Sequence, residues 1–246
     1  GHSQILASMI PNCVSYDPAF AYELAIILHR GLQHMYVENA SVYYYITLMN
    51  EAYPHPAMPQ GIEEGVIKGM YLFSEEDAAK ASAVRLIGGG TLLLEAIAAA
   101  KTLIEDYGLS VQVWSLTSAT ELTRDIQDVE RWNLLHPTDE QKKSYMAACM
   151  NEGKKKKWVT APVIIVSDYV KALPEQLRSA IDAPLHVLGT DGFGRSDTRE
   201  RLRHFFEVDR NFIILAALAR LARAGEIDAQ VVERAQLELG LDAEKT

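Results

Sequence analysis

Val84-Arg85-Leu86-Ile87, then Gly88-Gly89-Gly90, then an alanine- and leucine-rich run from Thr91 to Asp106, then Val111 to Leu116, read as strand, tight turn, helix and strand. Short β-branched runs on either side of a helical period predict a βαβ unit, in which a helix joins two parallel strands. The triple glycine stands where free N–H groups and the positive end of a helix dipole could cradle a phosphate. Its spacing is not that of a dinucleotide fingerprint, however, and no lysine follows as in a P-loop. The glycines therefore read as a turn that lets another part of the chain approach closely.

Working outward, the same alternation continues. Strands are expected at Val163–Val166 and Leu185–Leu188, with a helical stretch from Tyr169 to Ile181 between them. Ser118-Ala119-Thr120-Glu121 and Thr138-Asp139-Glu140-Gln141 both have the form of a capping box and predict helix starts. The last fifty residues predict helices over Thr198–Phe206, Asn211–Arg223 and Ala229–Leu239. Asp209 and Asp228 are the expected N-caps there, and Gly225 and Gly240 the expected stops. Alternating strands and helices imply an α/β sheet covered on both faces. Toward the amino end, Phe20, Leu24, Ile27, Leu28 and Leu32 recur at helical spacing, with Asp17 as the expected N-cap and Pro18 in the first turn. Val42 to Leu48 reads as a strand of a buried parallel sheet. The prolines of Tyr53-Pro54-His55-Pro56-Ala57-Met58-Pro59 make an ordered connector, and after the acidic Ser74-Glu75-Glu76-Asp77 a new pattern begins, so a division is expected near residue 80.

Composition narrows the class. With 48% hydrophobic and 23% charged residues, the chain is neither disordered nor membranous. No apolar run approaches the roughly 20 residues that span a bilayer, and the start has no signal-peptide pattern, so a cytoplasmic protein with no membrane partner is expected. A net charge of -9 disfavours a nucleic-acid partner. The one basic run, Lys154 to Lys157, reads as a solvated loop or, less simply, a contact for an acidic partner. Cys13 and Cys149 lie far apart with no metal-ligand spacing, and read as buried thiols.

Three further blocks carry a resemblance. Gly1-His2-Ser3-Gln4-Ile5-Leu6-Ala7-Ser8 through Pro11-Asn12-Cys13, then Arg131-Trp132-Asn133-Leu134-Leu135-His136-Pro137, then Val187-Leu188-Gly189-Thr190-Asp191-Gly192-Phe193-Gly194-Arg195-Ser196-Asp197 follow one another along the chain. Together with Tyr43-Tyr44-Tyr45-Ile46-Thr47, Pro56-Ala57-Met58-Pro59 and Arg199 to Val208, they resemble the homodimeric bacterial type of pyruvate dehydrogenase decarboxylating component, which depends on thiamine diphosphate. The resemblance covers almost the whole chain and places it at the carboxyl-terminal end of a longer polypeptide. It implies an α/β fold in two parts. Residues 1–80 would be the end of a pyrimidine-binding α/β domain, and residues 81–246 a transketolase C-terminal-like domain of three layers, α/β/α.

The same resemblance implies an activity. The full enzyme would decarboxylate pyruvate on thiamine diphosphate and Mg2+ and reductively acetylate the lipoyl group of its partner, the dihydrolipoyl acetyltransferase component. The cofactor would be bound mainly outside this chain, which has neither the Gly-Asp-Gly motif with its following asparagine nor an identifiable activating glutamate. No cofactor-binding or metal-binding residue is therefore expected here, and the chain alone should be inactive, contributing scaffold and homodimer surface. His2 is the one expected catalytic residue, because a histidine in this segment points in the family toward the thiazolium, where an imidazole can donate or shuttle a proton. Many relatives have a second histidine where this chain has Gln4, which leaves the assignment open between the two positions. His136 reads as a packed histidine, His204 as part of a solvated or interface face, and Asp191 with Arg195 as an ion pair fixing its own loop. A transketolase or another 2-oxoacid dehydrogenase is the alternative among enzymes, and a non-catalytic α/β interaction module the alternative outside them.

Overall fold

The computed structural model describes residues 1–50, 52–78, 81–152 and 155–245. The amino-terminal elements are α1 (Ser3–Ser8), β1 (Cys13–Tyr16), α2 (Ala21–Leu32) with a π-helical turn (Gln33–Val37), β2 (Tyr43–Ile46) and α3 (Glu63–Lys68). There follow β3 (Met70–Glu76), β4 (Ala83–Gly89), α4 (Leu92–Glu105), β5 (Ser110–Leu116), α5 (Ala119–Leu135), α6 (Tyr145–Asn151), α7 (Lys156–Thr160) and β6 (Val163–Ser167). The chain continues with α8 (Ala172–Glu175), a 3-10 turn (Arg178–Ala180), β7 (Leu185–Gly189), α9 (Arg199–Phe205), α10 (Arg210–Arg223) and α11 (Ala229–Glu238).

The large sheet has the order β3-β5-β4-β6-β7. Its β4, β5, β6 and β7 run parallel, and β3 is an antiparallel edge. Both faces are covered, which is why its strands are almost continuously apolar. Val84 and Leu86 point to a core shared with Leu93, Ala96 and Leu103 of α4 and with Ile213, Ala217 and Leu218 of α10. Ile87, Ile165 and Val187 point to the other core, against Leu122 and Ile126 of α5 and Met146 and Met150 of α6. The period of two thus assigns alternate residues of one strand to opposite layers. A smaller parallel pair, β1 and β2, packs with α2 and α3 through Val14, Tyr16, Ile27 and Val66.

The triple glycine is a packing turn. A Cβ on Gly88 would stand 2.5 Å from the Cα and 2.8 Å from the N of Leu93, so the helix lies directly on the strand end. Gly88→Ala is expected to lower stability by about 2 kcal/mol through overpacking against backbone. Urea denaturation reads this directly, and a change below about 0.5 kcal/mol, as at an ordinary surface site, would show that α4 has room to move.

Several expectations need correction. Asp17 does not cap α2: the helix starts at Ala21, and the Ala19 and Phe20 N–H groups donate instead to the carboxylate of Glu23. Thr138-Asp139-Glu140-Gln141 opens no helix. Asn133 ties the main chain of Lys142 in both directions, at 2.9 and 2.8 Å, so this stretch loops back on α5, and α6 starts after Ser144, whose Oγ accepts from Ala147. Tyr169–Ile181 is not one helix, because Val170 donates its N–H to Gly1 and the Tyr169 carbonyl accepts from Thr190, leaving only α8 and a 3-10 turn.

The lysine run is not a simple solvated loop either. Gly153 and Lys154 lie outside the described residues, but Lys155 and Lys157 both pair with Asp77, and α7 starts at Lys156. The division expected near residue 80 falls at residues 79 and 80, also outside the described residues. β3, on its amino-terminal side, is hydrogen-bonded to β5 in the large sheet.

The helix ends near the carboxyl terminus follow the expected chemistry. Asp209 accepts from Asn211 and Phe212, Asp228 accepts from Gln230, and Gly225 and Gly240 adopt φ values of 74° and 66°.

Candidate functional site

All parallel strands of both sheets end on one side, and the loops leaving them meet there. Asp17 follows β1, Thr47 follows β2, Gly90 and Thr91 follow β4, Asp168 and Tyr169 follow β6, and Thr190 follows β7. In the large sheet the chain moves from β4 outward to β5 and then returns to the other side of β4 with β6. The gap between the ends of β4 and β6 is therefore the topological switch point, the place where open α/β sheets form a crevice.

That crevice holds a carboxylate of this chain. A Cβ on Gly90, whose φ is +50°, would stand 2.2 Å from Oδ2 of Asp17, so only the bare glycine leaves space for the Asp17 side chain. Oδ1 of Asp17 accepts from Thr47 Oγ1 at 2.6 Å, and the Tyr169 hydroxyl lies 3.0 Å from Thr47 Oγ1 and 3.3 Å from Asp17 Oδ1. The Gln4 amide completes the cluster, donating to Thr47 Oγ1 at 3.0 Å and to the Tyr16 carbonyl at 3.1 Å. Burial pushes the Asp17 carboxyl up to about 7; the Thr47 hydrogen bond opposes the rise and the charge of Asp168 adds to it. Burial also raises Asp168, against the pull of Arg203 and the Thr91 hydroxyl 3.3 Å away.

An arginine-rich layer closes the outer side. Arg203 donates to Glu95 Oε1 at 3.0 Å and to Thr91 Oγ1 at 3.2 Å, and Arg210 donates to Glu95 Oε2 at 2.9 Å. Burial would lift the Glu95 carboxyl, but Arg210 and Arg203 outweigh it and hold it below the usual range. A cleft of about 360 Å³ opens beside this layer, lined by Asp168, Thr190, Arg195, Asp197, Arg199 and Arg203, among others. The glycine-rich loop after β7 is thus one wall of a crevice at the carboxyl ends of the strands. Its Asp191 and Arg195 do not pair with each other: Asp191 accepts from the Lys171 N–H at 3.0 Å, and Arg195 lies 3.9 Å over the Phe205 ring.

His2 sits at the edge of the same region. It is exposed at the N-cap of α1, and its side chain makes no hydrogen bond among the described residues. Its position is set by its neighbours, since the Gly1 carbonyl accepts from Val170 at 2.9 Å and Gln4 is anchored in the Asp17 cluster. Thr47 and Tyr169 escape a reading of the sequence because each looks like an ordinary polar residue until the two sheets are brought together, and for Gln4 the sequence marks the position but not its bonds to Tyr16 and Thr47. His136 stacks on Trp132 at 4.3 Å with its Nδ1 2.7 Å from the Trp132 carbonyl, which is the packed role expected for it. His204 pairs with its neighbour Asp209 at 3.0 Å.

The residues present do not fit a diphosphate and its cation. The glycine turn that could take a phosphate faces the Asp17 carboxylate instead, and among the described residues no group of three His, Cys, Asp or Glu side chains is placed to hold a metal. No helix among the described residues is long and apolar enough to cross a membrane.

The sheet order, the switch-point crevice and the three layers define a transketolase-type carboxyl-terminal domain. Residues 69–209 match the transketolase-like TK C-terminal domain family, to which the chain belongs, and residues 1–56 match the pyruvate dehydrogenase E1 component middle domain. Along its whole length the chain is similar to pyruvate dehydrogenase E1 components of bacteria. It is 50% identical to that of Pseudomonas aeruginosa, and 49% identical to those of Escherichia coli K12 and Cupriavidus necator. In each case 100% of this chain is covered, and it spans 27% of the relative's length. Among solved structures, transketolase from Leishmania mexicana superposes with a TM-score of 0.57 at 19% identity, covering 90% of this chain and 27% of that one. A split-gene transketolase described as an inactive beta4 tetramer gives 0.60 at 17% identity, covering 90% and 62%. At those identities the structural likeness establishes the fold alone.

Proposed function

We propose that this chain acts as the carboxyl-terminal portion of a pyruvate dehydrogenase E1 component, in which the complete protein decarboxylates pyruvate and passes the acetyl group to a lipoyl group on an acetyltransferase partner. The observation that carries the reading is the whole-length similarity to E1 components at about half identity, against under a fifth for the transketolases. Thiamine diphosphate with Mg2+ supplies the electron sink in such a protein. This chain supplies position, a homodimer surface and one proton-handling side chain, and it works in the cytoplasm. Sheet pairing supports a division at Lys68-Gly69, ahead of β3, in preference to residue 80. The first part leaves Leu28, Leu32, Tyr36, Val37 and Leu48 exposed on one small α/β unit, as expected of a domain whose remainder lies elsewhere.

His2 is the proposed catalytic residue: an exposed imidazole on a segment clamped at Gly1 and Gln4 can hold or move a proton at a substrate oxygen. In the complete enzyme, His2→Ala is expected to lower kcat by about 100-fold or more, the usual size of a lost acid–base group. A change of less than about threefold, well short of that size, would remove His2 from the mechanism and leave Gln4 as the alternative position. Calorimetric titration of thiamine diphosphate and Mg2+ tests the wider reading. Heat is expected only when the amino-terminal portion of an E1 component is added to this chain. Binding to the chain alone would overturn the domain assignment, and no heat in either case would favour a non-catalytic module.

A further inference from the structure

A second cavity, of about 270 Å³, lies toward the amino ends of the strands, away from the site described above. Arg85, Gln112, Cys149, Met150, Trp158 and Val159 form its wall, with Glu75, Glu152 and Lys155 also lining it. Arg85 points from β4 into the layer of α6 and α7 and is 1% exposed, among the most completely buried large side chains of the chain. Its Nη1 donates to the Met150 carbonyl, and its Nη2 donates to the carbonyls of Ala161 at 3.1 Å and Val159 at 3.4 Å. These are carbonyls at the ends of α6 and α7, whose dipoles favour a cation, but they carry no net charge. No carboxylate pairs with Arg85 among the described residues, and its Nε has no hydrogen-bond partner.

The other charged groups of the wall have partners. Glu75 accepts from Gln112 at 2.7 Å, Glu152 pairs with Lys143, and Lys155 pairs with Asp77. The indole N–H of Trp158, a residue 6% exposed, is a second buried donor without a partner in the same wall. Buried polar groups in folded proteins are nearly always satisfied, and a buried cation without a counter-charge is costly.

We propose that the cavity walled by Arg85 and Trp158 binds a small organic monocarboxylate. One guanidinium without a counter-charge matches one negative charge, and two unpartnered N–H groups match the two oxygens of a planar carboxylate better than they match a phosphate dianion. Met150, Val159 and the Trp158 ring supply an apolar wall for a short hydrocarbon tail. Both free N–H groups are covered in the present arrangement, so occupancy shifts the Trp158 side chain, which makes its fluorescence the reporter.

The test is a titration of this chain with propionate, butyrate and hexanoate, followed by tryptophan fluorescence and calorimetry in a carboxylate-free buffer, with inorganic phosphate as a parallel probe. Saturable binding is expected, tightening by about threefold for each added methylene. Arg85→Met, with its fold checked by circular dichroism, should weaken hexanoate binding by about tenfold or more, as for a lost charge-assisted hydrogen bond. Trp158→Phe keeps an aromatic ring and loses the N–H, and should weaken it severalfold by calorimetry. Should Arg85→Met fail to fold, Trp158→Phe still decides the matter. Unchanged affinity in the variants, tighter binding of phosphate than of hexanoate, or no saturation below about 50 mM would each overturn the assignment.

Discussion

Replacing Glu23 by alanine should lower the stability of the chain by about 4 kcal/mol, the largest loss expected from any single side chain described here. Glu23 is fully buried and its two oxygens collect four donors. Oε1 accepts from the hydroxyls of Tyr71 and Ser115, each at 2.7 Å, and Oε2 accepts from the N–H groups of Ala19 and Phe20. Those donors come from the start of α2, from β3 and from β5, so one carboxylate joins the small α/β unit to the large sheet. Its removal leaves buried donors without acceptors, and each such donor costs about 1–3 kcal/mol. Glu23→Gln should recover only part of the loss, because an amide places an N–H where donors already point. Urea denaturation curves of the three proteins measure the effect, and a loss below about 1 kcal/mol, the size of an ordinary exposed hydrogen bond, would contradict it.

The second large effect is a dependence on pH. Asp17 has a folded-state value near 7, above its ordinary 3.8, so the native state binds this proton more tightly than the unfolded chain does. The stability it contributes is fully present below the unfolded value and is lost as pH rises through about 7. Asp17→Asn keeps the oxygen that faces Thr47 and Tyr169 but cannot ionise. The variant should therefore show a flatter stability profile between about pH 4 and 7 and exceed the wild type at pH 8 by roughly 2–4 kcal/mol. Burial also raises Asp168 and Glu23, so some slope should remain in the variant. An unchanged slope after Asp17→Asn would show that Asp17 is ionised in the folded protein throughout this range.

Much of the large sheet can be read from the sequence because its signals are local. The helix from Ala119 is announced by Ser118, whose Oγ accepts from Glu121, and the ends of α10 and α11 by Gly225 and Gly240. β1 is harder: Cys13–Tyr16 is four buried residues without alternation, following Pro11 and Asn12. β3 is harder still, since the acidic end of an antiparallel edge strand resembles a connector until β5 lies beside it. Asp17 before Pro18 has the appearance of a helix cap, and only the arrival of Gly90, Thr47 and Tyr169 from distant parts of the chain shows its other use. The resemblance in the Gly1 to Cys13 block makes His2 a candidate, whereas the clamp on this segment depends on main-chain atoms of Val170 and is invisible to residue type.

The socket formed by Gly90 for Asp17 also bears on the order in which the molecule assembles. The five-stranded sheet carries most of two cores, with Ala19 and Phe20 of the small unit joining only one of them, whereas β1 and β2 form a two-stranded pair, too small to be stable alone. The large sheet should therefore consolidate first, with the small unit docking onto it as a tethered guest whose carboxylate acts as the key. Native-state hydrogen exchange would then show two tiers, with the amides of β1 and β2 opening before those of β4 and β6. In such a hierarchy Asp17 serves as an intramolecular ligand, and a place where related architectures receive a diffusible molecule has become a latch between two parts of one chain.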